Sequence, residues 1–585
     1  MKIANIKARE PEREEIRSFF GLNRQSSPGV GESRDEENVS SDLYPFLSPK
    51  RETVRLTDDF GTCRALIMKD QMAWVTDVEG GEFCRLFYAG ADTGLVMSAG
   101  DKQLVSMGTK IIVFPDKVYY DTADASYGSL DASFTSVEDI AVRFTLSRLD
   151  GGEYEYDSSP TAPENPSDGA LWCDTSSSPA VLMKYSETSA MWVAVDSTYV
   201  KISTPGIGAD FSAGDGVTLS SSVVASLNGD AVIDGCGDDF IIVAGIITAP
   251  AVQYTPITVE RTAPAVDFAV EYSNRIWACR SGLNNRGELV NEIYASKLGD
   301  PFNWNAFSGL VSDSYAAGVG SDGPFTGAAV FLGYVMFFKE RCVHKVFGNR
   351  PSNFQIITSN IRGVAEGASR SLAVMDDVLF FSGVDGIMAY DGTSPAPISE
   401  PLGEISPAGA ICVPNGKYLY VSALFGERRE LYVLDTKLSL WHRYAPMNVD
   451  HMTPTRHGVI ASADGSLWVI DSRDLGIGAS NLTGYHTRCA LSESWYFETG
   501  ELTAERDDMY VRRVELTAAV PAGGEMRVEL ISDEDERRPV VTVRPTVRRT
   551  FTVPIVTGPH RRYRLRVGGT GKTVLYSIAK FVEKV

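Results

Sequence analysis

The feature that most constrains this chain is its rhythm of short strands. From residue 61 onward, apolar runs alternate with turn residues. Cys63 to Met68, Gln71 to Thr76 and Phe83 to Tyr88 are separated by Lys69-Asp70 and Glu79-Gly80-Gly81, and Lys110 to Phe114 and Lys117 to Asp121 follow. β-Branched and aromatic residues bounded by Gly, Asp and Asn read as strands joined by tight turns. The pattern resumes at Phe268 to Tyr272, Arg275 to Arg280 and Glu292 to Ser296, then at Gly327 to Leu332, Tyr334 to Lys339 and Cys342 to Phe347. It continues through Ser371 to Asp391, Ala410 to Asp435, Trp441 to Tyr444 and Gly458 to Asp471. The groups recur about every 40–50 residues, the spacing of propeller blades. A single blade cannot bury both of its faces, so blades must stack. The expected fold is all-β, a β-propeller of about six or seven blades. Turns between second and third strands, written Met375-Asp376-Asp377, Asn415-Gly416-Lys417 and Ala463-Asp464-Gly465, favour a propeller over a series of β-sandwiches.

Interruptions in the rhythm set the domain plan. Residues 1–60 are polar and irregular and read as an extended N-terminal arm laid over a surface, with a helix plausible only at residues 9–20. Residues 61–134 hold the first blades, 135–258 an inserted β-module, 259–489 the remaining blades and 490–585 a C-terminal β-sandwich-like domain. The insert follows a Pro160 to Gly169 turn cluster and carries three short strands, at Ala170 to Asp174, Val181 to Tyr185 and Met191 to Val195. Its aromatics Trp172, Tyr185 and Trp192 are candidate ligand contacts; the alternative is that they pack the module's own small core. In the C-terminal domain, Tyr510 to Leu516, Glu525 to Ile531 and Arg562 to Val567 alternate apolar residues with Arg or Glu. That alternation predicts half-buried antiparallel strands whose arginines point outwards, towards carboxylates on a neighbour.

Charge and cysteine usage narrow the function classes. The net charge is -21, which disfavours a protein that coats nucleic acid through phosphate contacts. Residues 501–585 hold 16 Lys+Arg against 12 Asp+Glu, a net of +4, so residues 1–500 carry -21 - 4 = -25. Eight scattered cysteines without a CxxC pair predict buried thiols in a reducing compartment rather than a disulfide frame or a zinc site. The start shows no apolar h-region, so no secretory signal is expected, and the apolar run Phe240 to Val252 is too short for a membrane span.

No catalytic set emerges from the motifs. Gly568-Gly-Thr-Gly-Lys-Thr573 resembles a P-loop, but the residue five before Gly571 is Arg566 and strands flank both sides, so a hairpin turn is expected. Ser462-Ala-Asp-Gly-Ser-Leu-Trp468 is close to the sialidase Asp-box, with Ser466 where Gly belongs and Trp one residue early. His451 and His457, beside Asp450, match neither helical nor strand metal spacing and are expected in a loop between blades. Asp234, Asp238 and Asp239 lack calcium-loop spacing. The expectation is therefore no enzyme, no cofactor and no metal.

Some segments do resemble a known family. The arm from Phe20-Gly-Leu-Asn through Glu37-Asn-Val-Ser-Ser-Asp-Leu-Tyr-Pro-Phe-Leu-Ser-Pro-Lys-Arg51 looks like the N-terminal region of phage and prophage tail proteins. Asn274-Arg-Ile-Trp-Ala, Asn291 to Trp304 and Gly363 to Gly392 are similar to blade segments of the tail nozzle, or tail-tubular, proteins of short-tailed phages, also called packaged-DNA stabilisation proteins. The resemblance covers the arm and residues 260–470; residues 135–258 do not match it. It implies a virion structural protein, made in the host bacterial cytoplasm, in a ring of six copies below the portal and adaptor. Double-stranded DNA would be retained there and pass through the axis at ejection without specific binding. An acidic lumen fits that passage, because a basic one would hold the phosphates. The alternatives are a receptor- or glycan-binding tail adhesin, with fibre or receptor contact through the insert, and a propeller glycosidase.

Overall fold

The computed structural model describes residues 12–57, 59–473, 489–490, 493–502, 509–555 and 562–584. Among them there is no α-helix, only five three-residue 3-10 turns, and the chain is all-β as expected. It divides into two compact units: Met1–Lys102 with Phe338–Val343 and Ser359–Val585, and Gln103–Phe337 with His344–Thr358.

The first unit holds blade-type sheets, each of four antiparallel strands in chain order. One is Cys63–Met68, Met72–Asp77, Phe83–Tyr88 and Ala91–Ser98. Another is Ala373–Met375, Val378–Gly383, Gly386–Tyr390 and Ala396–Pro397. A third is Ser406–Asn415, Tyr418–Phe425, Arg428–Asp435 and Leu440–Tyr444. The sheet Val449–Thr455, Gly458–Ala463 and Ser466–Ile470 takes its next strand, Val54–Thr57, from far upstream. The strand Tyr418–Phe425 shows why such sheets must stack. Leu419, Val421 and Ala423 point into one core, while Tyr418 and Tyr420 point into another. A strand buried on both faces reads as a continuous apolar run, which is what made it visible in the sequence.

In the second unit, blade-type sheets run over Gln103–Ser129 and Phe268–Gly318, and it holds most of the four-stranded sheet between Gly327 and Ser359. The intervening chain, Ala132 to Arg261, is larger than the small three-stranded module expected. It forms an eight-stranded antiparallel sheet around a core that includes Phe144, Ile202, Val217 and Ile241. Beside it lies a four-stranded sheet, Asp157–Ser159, Leu171–Asp174, Val181–Ser186 and Met191–Ala194.

The C-terminal domain, in the first unit, is a sandwich of a five-stranded and a four-stranded sheet sharing one core. Its chain alternates between sheets. Tyr563–Thr570 lies in one and Val574–Lys584 in the other, so the Gly568 to Thr573 segment is a crossover between sheets and not the hairpin expected.

The arm departs most from expectation. No helix forms in the described part of residues 9–20; residues 9–11 lie outside it. Glu12–Ile16 is a strand paired with Ile578–Val582, because joining an existing sheet outweighs weak helical propensity. Nor is the arm a surface layer. Phe19, Val39 and Leu47 belong to the sandwich core and Leu22 to the core of the neighbouring blades. Gly21 lies at φ 74°, and a β-carbon there would come within 2.4 Å of the Trp441 carbonyl oxygen. Ser33–Glu37 pairs with Trp495–Thr499. Its acids clasp Arg443, whose guanidinium lies 3.1 Å from Asp35, 3.3 Å from Glu37 and 3.7 Å from Glu430. Glu36, fully buried, faces His442 Nδ1 at 2.8 Å.

Two of the three repeated turns, Met375-Asp376-Asp377 and Asn415-Gly416-Lys417, join first to second strands, not second to third. Cysteine usage follows expectation: six of the seven described thiols are buried, and burial pushes Cys63 up to about 12; the Cys489 side chain lies outside the description. No helix among the described residues is long and apolar enough to cross a membrane.

Candidate functional site

Charged side chains converge at one end of the first unit's blade sheets. Each arrives from a turn or strand end. Arg64 opens the strand Cys63–Met68, Asp77 closes the next, and Asp101 sits in the connection after Ser98. Arg370 precedes the strand Ala373–Met375, Arg429 lies near the start of Arg428–Asp435, and Asp450 and His451 lie in Val449–Thr455. Blade ends gather side chains from distant parts of the sequence because each sheet delivers its turns to the same face.

The geometry is specific. Arg64 grips Asp77 with paired bonds of 2.8 and 2.7 Å, which hold that carboxyl below the usual carboxylate range. Arg64 also lies 3.5 Å from Asp101, and Arg370 reaches the other oxygen of Asp101 at 3.7 Å. Arg370 Nη1 donates to the Asp450 carbonyl at 2.9 Å and contacts His451 Nε2 at 3.1 Å. An arginine only donates, so Nε2 is the acceptor and His451 is neutral. Burial first, and Arg370 second, bring His451 down to about 4. Burial and then Asp464 raise the Asp450 carboxyl, against the pull of Arg370, Arg429 and Arg64. Burial and then Arg370 lower Arg429. The cluster thus combines three arginines, the carboxylates of Asp77 and Asp101, an Asp450 carboxyl of raised pKa and a neutral imidazole, and its polar groups are largely spent on one another and on nearby backbone.

The structure redistributes the candidates read from sequence. Trp172, Tyr185 and Trp192 do come together: Trp192 meets Trp172 and Tyr185, each edge-to-face at 5.4 Å. Trp172 is buried, its Nε1 donating to the Ser159 carbonyl at 3.0 Å. Tyr185 and Trp192 are half-buried, so the rings mostly pack each other. His451 lies in a strand, not in a loop between blades, and His457 sits at that strand's far end, in the turn before Gly458. No group of three or more His, Cys, Asp or Glu among the described residues is placed to hold a metal. Asp239 accepts the Gly206 amide at 2.8 Å and serves the turn. Sequence reasoning missed Arg64, Arg370 and Arg429. Arg64 and Arg429 sit in ordinary strands and Arg370 in a 3-10 turn, and only the sheet ends bring them together.

No protein family matches the sequence, and neither does any curated protein sequence. Among solved structures, the chain is similar to phage phi92 endosialidase at 10% identity and a TM-score of 0.27, covering 82% of this chain and 79% of that one. It is also similar to an exo-beta-1,3-galactanase from Phanerochaete chrysosporium, at 9% identity and a TM-score of 0.21, over 54% of this chain and 94% of that one. A family 43 arabinoxylan arabinofuranohydrolase from Bacillus subtilis matches at 11% identity and a TM-score of 0.13, over 54% and 94%. These proteins are glycoside-cleaving enzymes by name, and they overturn the expectation that the chain is no enzyme. At such low identity and TM-score the likeness carries neither reaction nor substrate to this chain.

Proposed function

We propose that this chain is a virion structural protein of a phage tail. Copies of it assemble into the nozzle or hub ring that continues the DNA channel below the portal and adaptor. The ring retains packaged DNA and lets it pass at ejection. The observation that carries this reading is a segregation of charge in which the basic edge packs on rings such as Tyr576 but closes no ion pair among the described residues. Arg537–Val543 and Thr546–Pro554 are the outer strands of the two C-terminal sheets, joined by a short turn. They and that turn present Arg537, Arg538, Arg544, Arg548 and Arg549, all exposed. None of the five forms an ion pair with a carboxylate among the described residues. Residues 1–500 meanwhile carry the charge of -25 derived above. A basic edge and an acidic body on one chain are complementary between copies. The resemblance of the arm and blade segments to tail nozzle proteins supports the same reading.

The test is native mass spectrometry of the full chain, with micrographs of particles. A ring is expected for the natural sequence. Charge reversal at Arg537, Arg538, Arg548 and Arg549 should leave a folded monomer. A natural chain that stays monomeric at micromolar concentration, with no ring on the tail, overturns the proposal.

A further inference from the structure

The second unit contains a cleft of about 610 Å³ that no part of the assembly reading uses. Its walls come from the turn at Met107 to Lys110, from Tyr119, from Arg261 and from the loop Gly299 to Asn303. That loop belongs to the segment Asn291 to Trp304 marked out in the sequence, and its rigidity has a clear cause. Trp304 is buried and donates from Nε1 to the Pro301 carbonyl at 2.9 Å. Asn303, 1% exposed, donates to Asp215 at 2.8 Å and to Asp300 at 2.6 Å, and accepts the Gly216 amide at 2.9 Å. Every polar atom of the Asn303 amide is thus used in holding the wall, not in facing a ligand.

Two aromatic rings line the cleft. Tyr119 and Phe302 meet edge-to-face at 5.0 Å, and both are half-buried. The cationic side chains beside them are already neutralised. Arg261 pairs with Asp215 at 2.6 Å and lies 5.5 Å from the Phe302 centroid. Lys110 pairs with Asp121 at 2.5 Å and lies 5.8 Å from the Tyr119 centroid. The wall therefore has little net attraction for an anion. Hydrogen-bonding capacity remains. The exposed Asn274 amide makes no hydrogen bond to a described side chain or backbone, since only its main chain is engaged. Asp300 accepts from Phe302 N and Asn303 Nδ2, and a carboxylate has room for further donors. Ser129, whose hydroxyl also accepts the Asp131 amide, and Ser212 add hydroxyls to the lining.

Half-buried aromatic rings, the uncommitted Asn274 amide, the Asp300 carboxylate and locked walls whose cations are already paired together suit one ligand class. We propose that this cleft binds a neutral oligosaccharide, with a sugar face against Tyr119 and its hydroxyls on Asn274 and Asp300. Ligand sites of this size pair an apolar surface with a few placed polar groups. The cleft lies apart from Trp172, Tyr185 and Trp192, and the proposal is independent of ring assembly.

The test titrates the full chain by calorimetry with maltotriose, chitotriose and mannotriose, and with trigalacturonate as the anionic comparison. At least one neutral trisaccharide is expected to bind with a Kd of ~0.1–1 mM. Tyr119→Ala and Asn274→Ala should each weaken it about tenfold or more, while the oligomeric state stays unchanged. Should Tyr119→Ala fail to fold, Asn274→Ala on its exposed turn decides alone. Absence of neutral binding, binding of trigalacturonate only, or neutral binding untouched by Asn274→Ala overturns the proposal.

Discussion

Two regions of the first unit handle charge in opposite ways. Where the arm crosses the blade strand Leu440–Tyr444, charges are buried against one another. Arg443, 4% exposed, is ringed by Asp35, Glu37 and Glu430, and Tyr496 donates to Asp35 at 2.7 Å. Arg24 adds a 3.0 Å contact to Glu430 and packs over Phe425 at 4.5 Å. Along the outer strands of the C-terminal sheets, arginines stand in solvent without a carboxylate. A buried arginine without its partners would cost several kcal/mol, so the seam specifies a single arrangement of arm and blade. An exposed arginine costs nothing to leave unpaired. It keeps the sheet edge from pairing at random, and it stays available to another surface. The same residue type thus fixes internal architecture where it is buried and leaves the fold indifferent to it where it is exposed.

The largest effect is expected from Arg443→Ala. It leaves Asp35, Glu37 and Glu430 with Arg24 alone, which reaches Glu430 at 3.0 Å and Asp35 at 3.9 Å, and an unfolding titration should show a loss of about 3 kcal/mol. A loss under about 1 kcal/mol would mean that the seam is solvated and no different from the exposed edge.

The charge cluster at the blade ends gives the next largest effect. His451 titrates near 4 in the fold, against 6.5 for a free imidazole. Its contribution is complete above the unfolded value and declines as pH falls from about 6.5 towards 4, because the unfolded chain takes up the proton first. The loss reaches about 3 kcal/mol at most. Asp450, whose carboxyl is raised, titrates with the opposite sign. The comparison of natural chain with His451→Gln therefore isolates the histidine, and the variant should show a flatter stability profile over that window.

A smaller effect is expected at Gly21, where the arm turns against the Trp441 carbonyl. Gly21→Ala introduces both a left-handed backbone strain and a steric clash, and should cost about 2 kcal/mol by denaturant midpoint. Smallest of all, Arg537→Ala with Arg538→Ala should leave the unfolding midpoint of the isolated chain in place. The same pair should weaken self-association measured by light scattering, more so at low salt than at high. A shifted midpoint with unchanged association would move these arginines to the committed class.

Much of the fold was legible because strands leave a local trace. Tyr418 to Val421 reads as an unbroken apolar run since both of its faces are covered, and Tyr563 to Val567 alternates since one face is not. The arm was misread for the converse reason. Glu12 to Ile16 carries no strand pattern of its own; its state is decided by a partner more than 560 residues away, Ile578–Val582. Phe19-Phe20-Gly21-Leu22 was the one available hint, an apolar cluster around a glycine in otherwise polar sequence. The blade-end cluster left less still. His451 and Asp450 stand out beside each other, but no spacing relates them to Arg64, Arg370 or Arg429.

By itself, then, the sequence determined the strand content, the blade rhythm and the division of charge between body and C-terminal domain, since each depends on residues near one another or on counting. Tertiary structure alone decided that the arm is core, that Val54–Thr57 joins a sheet begun near residue 449, and which arginines are paired inside the chain and which stay exposed. Those outcomes depend on contacts between segments hundreds of residues apart, where the gain from burying a side chain or pairing a strand outweighs what local propensity prefers.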